Sequence, residues 1–157
     1  MGVKPVRATA EESETLDVGL MSAMVGYNVR RASGAFAANF HAALVGTDMR
    51  QALFGILAVV SRHPEIQQGE VGRLLGIQRP NMVALINELS DRGLIERRPA
   101  AKDRRAVALN LTPEGVAVLQ ACYVRLQRHE DQLLADLTAD ERATLIDLLG
   151  RIIAKGG

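Results

Sequence analysis

Eight of the chain's nineteen Lys and Arg residues fall between positions 67 and 112: Arg73, Arg79, Arg92, Arg97, Arg98, Lys102, Arg104 and Arg105. Five carboxylates share that stretch, which therefore carries +3, while residues 1–66 balance at zero and residues 113–157 sum to −2. The formal net charge of +1 hides this concentration. Cationic side chains gathered in this way bind phosphate oxygens, and their summed potential attracts a polyanion. An excess of three charges also occurs on ordinary solvated faces, so its meaning depends on the elements that present it. Other chemistries lack their residues. The chain has no glycine-rich phosphate loop, no Gly-x-Ser-x-Gly elbow and no carboxylate–histidine cluster for acid–base work. His41, His63 and His129 are scattered without metal-ligand spacing. No metal, no other cofactor and no catalysis are expected.

The basic stretch reads as two short helices around a tight turn, then a hairpin. Residues 68–75 form the first helix, expected to bury Val71, Leu74 and Leu75. Gly76 suits a left-handed cap, and Ile77 plugs the turn. The second helix begins near position 78, tolerates Pro80 in its first turn, and runs to about 92. It buries Met82, Leu85, Ile86 and Leu89, and Gly93 caps it. Strands at 94–98 and 106–111 flank a polar turn at 99–104, with Val107, Leu109 and Leu111 on one half-buried face. A helix pair followed by a hairpin with a basic tip is the layout of a winged helix-turn-helix, a module that reads double-stranded DNA.

The flanks supply what this reader does not need. Residues 1–15 lack periodicity and read as a mobile arm. Residues 16–44 form one long helix carrying Leu20, Met24, Tyr27, Val29, Phe36, Phe40 and Leu44. Gly46 stops it, and Thr47 is expected to cap a helix over 48–62 whose stripe is Met49, Leu53, Ile56, Leu57 and Val60. After the hairpin, Thr112 and Pro113 open a helix reaching about 137. Thr138 with Glu141 makes a capping box for a last helix carrying Leu145, Leu148, Leu149, Ile152 and Ile153. The fold class is mainly α with a small β-wing. One domain spans 16–157, with the winged helix-turn-helix at 47–112 between dimerisation helices at 16–44 and 113–155. The flanking stripes exceed what one small module can cover, so a two-fold homodimer is expected, presenting two readers to a palindromic site. No apolar run reaches the ~18–20 residues of a membrane span, so no membrane partner is expected. The N-terminal stretch lacks the apolar core of a secretion signal, and the single cysteine, Cys122, fits a reducing cytoplasm.

The segments LLGIQRPNMVALINELSDRGLIERR and KDRRAVALNLTPEG together resemble the multiple-antibiotic-resistance regulator (MarR) family of bacterial winged-helix repressors. The likeness is close over 47–115, and the flanking helices agree in length and order. Its most specific part is the wing motif, Asp-x-Arg followed by Leu-Thr at the strand end. The resemblance implies a dimeric, cytoplasmic, nucleoid-associated repressor released from DNA by a small ligand. It places residues 78–88 in the major groove, with Gln78, Arg79, Asn81, Val83, Ala84 and Asn87 facing outward. Arg79 would reach guanine or phosphate, and Asn81 or Asn87 would read adenine. Arg105 would enter the minor groove, braced by Asp103, with Arg97, Arg98, Lys102 and Arg104 on phosphates. Gln78 stands where the family prefers Ser or Thr, which leaves the recognition helix less well capped. Val83 and Ala84 replace donors, which shifts readout toward thymine methyls and the wing.

The resemblance also implies an effector site walled by Tyr27, Asn28, Arg31, Phe36, Phe40 and His41 on the first helix and by Arg50, Phe54 and Leu57 on the second. Aromatic and apolar side chains with Arg or His suit an aromatic carboxylate or its coenzyme A thioester, and GYNVRRA is similar to members that respond to such thioesters. The same residues also fit a plain core. Cys122 lies in an apolar run, away from the N-terminal helix where redox-responsive members keep their cysteine, and reads as a buried thiol. A second class of function stays open: a winged helix that holds a protein partner and never binds DNA. The basic tip at Lys102, Arg104 and Arg105 argues against it.

Overall fold

The computed structural model describes residues 19–99 and 107–156. The chain divides into two compact units, residues 1–34 and 35–157. The first, described from Gly19, contains a 3-10 helix, Gly19–Ala23, and the start of helix α1 (Val25–Ala43). The expected single helix over 16–44 is therefore broken at Met24. The cause is local hydrogen bonding: the Asn28 amide donates to the carbonyls of Ser22 (2.8 Å) and Met24 (3.0 Å), closing a turn there. Asn28, an expected effector residue, spends its amide protons on this junction.

The second unit holds α2 (Gln51–Arg62), β1 (Ile66–Gln67), α3 (Gln68–Leu75), α4 (Arg79–Asp91), β2 (Ile95–Pro99), β3 (Val107–Leu111), α5 (Pro113–Leu133) and α6 (Ala139–Ile153). Helix α2 starts three residues later than expected. Thr47 does not cap it; its hydroxyl donates to Leu44 O (2.6 Å) and accepts from Met49 N (3.3 Å), tightening the preceding turn. Arg50 holds the cap position, without a capping hydrogen bond from its side chain. Leu53, Ile56, Leu57 and Val60, spaced 3, 1 and 3 residues apart, are all at most 1% exposed and form the centre of the core.

Strand β1 was not expected; two residues give no readable alternation. It pairs antiparallel with β3 (Ile66 with Leu109, Gln67 with Ala108), making a three-stranded sheet of order β1-β3-β2. As the central strand, β3 buries the successive residues Ala108 and Leu109, so the expected simple alternation fails and Val107 at its outer end is 49% exposed. Leu74, expected inside, is 63% exposed, because α3 turns Val71 and Gly72 inward instead.

The route from wing to α5 is tightly closed. The Thr112 hydroxyl donates to Gly93 O (2.6 Å) and accepts from Gly115 N (2.9 Å), capping α5 as expected. Pro113 opens the helix. A Cβ on Gly115 would collide with the Leu94 carbonyl oxygen, so only glycine lets α5 lie this close to the root of the wing. Helix α5 ends at Leu133 rather than near 137. Arg142 gathers the carbonyls that follow: Nη2 donates to Leu134 O (2.8 Å) and Nε to Leu137 O (3.2 Å), while Nη1 pairs with Asp131 (2.7 Å). The Thr138–Glu141 box starts α6 as expected. Helix α6 buries no residue; Ile146 and Ile153 are 70% and 73% exposed.

Candidate nucleic-acid interface

Helices α3 and α4 meet at a turn fixed by Gly76, whose φ of +65° sits in the left-handed region, and by the Ile77 N–H donating to Gly72 O at 2.8 Å. Gln78 caps α4 from an extended conformation without a side-chain hydrogen bond, the weak cap read from its identity. Pro80 lies in the first turn, where its missing N–H costs no helical bond. Met82, Leu85, Ile86 and Leu89 anchor α4 to the core, each contributing roughly 1.5–3 kcal/mol of burial. That anchoring decides which face is left over. Gln78, Arg79, Asn81, Val83, Ala84 and Asn87 are all exposed.

A groove of about 780 Å³ opens between the start of α3, the start of α4 and the outer end of β3, with Gln68, Arg73, Arg79, Val83 and Val107 on its walls. Arg73 and Val107 were not among the expected site residues. The place of Arg73 opposite Val71 on α3 is a signal for its exposure, whereas simple alternation along β3 puts Val107 on the inner face. Arg79 has no hydrogen bond or ion pair among the described residues, so its guanidinium is available.

Beside α4 the wing strands run antiparallel, Arg97 opposite Leu109 and Arg98 opposite Ala108. Both arginines are exposed and differ in pairing. Arg98 forms an ion pair with Glu96 (2.7 Å), which offsets much of its field. The Arg97 Nη2 donates to Asn87 Oδ1, tying the strand to the recognition helix. Lys102, Asp103, Arg104 and Arg105 lie outside the described residues.

On the opposite flank of α4, Glu88 pairs with Arg50 across 2.5 Å. Both side chains are partly solvated, so the pair orients more than it stabilises. Of the remaining expected effector residues, Tyr27 and Arg31 lie in the first unit. Arg31 donates to the tyrosine oxygen (3.2 Å), which raises its already high pKa, and Arg30 and Arg31 both sit over the Tyr27 ring, at 5.4 and 5.9 Å. In the second unit Phe36 and His41 are exposed, Phe40 and Phe54 meet edge to face at 5.8 Å, and Leu57 is wholly buried. None of the six in the second unit lines the groove beside α4. Cys122 is 2% exposed, and burial pushes its thiol up, against the lowering influence of Arg125 and Arg92.

A core-anchored helix pair presenting a polar helix face beside a basic strand pair defines a winged-helix DNA-binding regulator. Comparison with known proteins narrows the class. The MarR family model matches residues 48–106. The chain is 31% identical over 135 residues to a Thauera aromatica protein assigned as a transcriptional regulatory protein for the hcr operon, covering 85% of this chain and 81% of that one. It is 33% identical over 107 residues to the multiple antibiotic resistance protein MarR of Salmonella typhimurium, covering 68% and 74%. Among solved structures it resembles the transcriptional repressor CouR bound to a 23-mer DNA duplex (34% identity, TM-score 0.82, 88% and 98% covered). It also resembles CouR bound to p-coumaroyl-CoA (32% identity, TM-score 0.77, 88% and 97% covered). The chain belongs to the MarR family. It is a transcriptional regulator, and not an enzyme.

Proposed function

We propose that the protein is a homodimeric repressor that holds a pseudo-palindromic operator with α4 in the major groove and the wing on the flanking backbone. The observation that carries this reading is the solvent face of α4, on which Arg79, Asn81, Val83, Ala84 and Asn87 stand beside the arginines of β2. Arg79 contacts guanine or phosphate, Asn81 and Asn87 contact base edges, and Val83 and Ala84 lie against thymine methyls. Arg98, Lys102 and Arg104 contact phosphates, and Asp103 braces Arg105 at the minor groove. The second copy covers the exposed apolar residues of α5 and α6, among them Val116, Tyr123, Ile146 and Ile153. A protein of this kind works in the cytoplasm, on the nucleoid.

The inducing ligand is a small aromatic acid or its coenzyme A thioester. CouR, bound to p-coumaroyl-CoA, supports the thioester. Tyr27, Arg31, Phe36, Phe40, His41, Arg50 and Phe54 are the residues to vary, with Asn28 and Leu57 held by the fold. The ligand acts by population shift, favouring a spacing of the two recognition helices that no longer fits the half-sites. Selection and sequencing of random duplexes at two salt concentrations tests the reading. An inverted repeat whose binding weakens with salt and with Arg79→Ala or Arg105→Ala is expected. Absence of enrichment, or binding indifferent to salt and to both arginines, would replace the DNA reader with a protein-binding winged helix.

A further inference from the structure

The contact between Arg97 and Asn87 joins a charged group expected on a phosphate to an amide expected on a base. An asparagine amide can turn either end toward a partner, but a guanidinium only donates. The amide oxygen of Asn87 must therefore face Arg97; turned over, it would set donor against donor. The NH2 group is left pointing away from the wing, on the same exposed row of α4 as Arg79 and Val83, which precede it at four-residue steps. No other hydrogen bond to the Asn87 side chain occurs among the described residues. Arg97 gives an Nη2 donor to the helix and makes no ion pair among the described residues, whereas Arg98, the next residue along β2, is tied to Glu96.

We propose that Arg97 is a positioning residue for base recognition, holding the Asn87 amide so that its NH2 group meets the acceptor edge of one base pair in each half-site. Arg97 then acts through Asn87 rather than as a phosphate contact. This rests on the DNA-reading proposal above, and it makes a distinction that affinity alone does not reveal. A phosphate contact lowers binding to every sequence alike and takes about one unit from the salt slope when removed. A positioning residue leaves the slope alone and flattens the preference at a single base pair. The acceptor that meets the NH2 group is a purine N7, guanine O6 or thymine O4.

The test is selection and sequencing of random duplexes by the full-length wild type, Arg97→Ala, Asn87→Ala, the double variant and Asn87→Asp, with salt titrations on the recovered site. Both alanine variants are expected to flatten the same base-pair position, with discrimination there falling about tenfold, and the double variant to do no more than either alone. Asn87→Asp keeps an acceptor for Arg97 but has no donor, so it too loses that preference. The Arg97→Ala salt slope should equal the wild-type slope. Uniform weakening with a shallower slope and an intact base preference would overturn the assignment while leaving the DNA reader standing. Wild-type protein that enriches no duplex would overturn both.

Discussion

Replacing Gly115 with alanine sets two effects against each other, and the structure says which is larger. Alanine is the better helix former by up to about 1 kcal/mol. Its Cβ, however, would overlap the Leu94 carbonyl oxygen and sit 3.0 Å from the carbonyl carbon. The obstacle is backbone at the root of the wing, which cannot rotate aside as a side-chain tip would. Separating the two segments costs about 1–3 kcal/mol in overpacking. It also stretches the bonds that close this junction, Thr112 N to Leu94 O at 3.2 Å and Gly115 N to the Thr112 hydroxyl at 2.9 Å, at about 0.5–1.5 kcal/mol each. With the helix gain subtracted, the net expectation is a loss of about 1–5 kcal/mol. Gly55→Ala in α2 is the matched control, since its Cβ would meet only the Leu75 side-chain tip, Cδ2 at 3.5 Å and Cδ1 at 3.7 Å, both ordinary contacts; it should gain up to about 1 kcal/mol. Urea unfolding followed by circular dichroism, at fixed protein concentration and with unchanged m-values, measures both. Equal stabilities for Gly115→Ala and Gly55→Ala, or a gain in the former, would refute the steric reasoning.

Three further outcomes follow from the fold. The Glu141 carboxylate accepts from the backbone and hydroxyl of Thr138, which lowers its pKa. Its contribution is present above the ordinary carboxylate pKa and lost as pH falls through the lowered value, so Glu141→Gln should narrow the Tm difference from wild type on acidification below about pH 4. Cys122, buried with a raised pKa, should react with a thiol reagent in native protein far more slowly than in urea-unfolded protein, as absorbance of the released thiolate will show. Ile146→Glu with Ile153→Glu, both on the exposed face of α6, should weaken the proposed homodimer, moving sedimentation toward monomer while far-ultraviolet circular dichroism stays unchanged.

The helix pair was legible because each of its signals is short-range. Gly76, Pro80 and the 82-85-86-89 spacing act within one or two turns, and so do the Thr112 and Thr138 caps. What escaped depends on partners far along the chain. Strand β1 is two residues long and exists because β3 offers it an edge 43 positions on, where Ile66 meets Leu109. Leu74 looked like core by period, but α3 turns its smaller neighbours Val71 and Gly72 inward. Thr47 had the right type for a cap and was used in a turn instead. The outward face of α4 was read correctly, whereas its links to Arg97 and Arg50 join residues 10 and 38 apart and leave no trace in local pattern.

Strand β1 has a mechanical consequence. It runs into α3 without an intervening residue, Gln67 ending one and Gln68 beginning the other, and it is zipped to β3. The described strands of the wing are thus tied to α3 at one edge, through β1, and to α4 at the other, through Arg97. Among the described residues, the reader helices and the wing strands are therefore joined at both edges of the sheet. A change in the proposed grip on DNA that kept these joints would move helices and strands together.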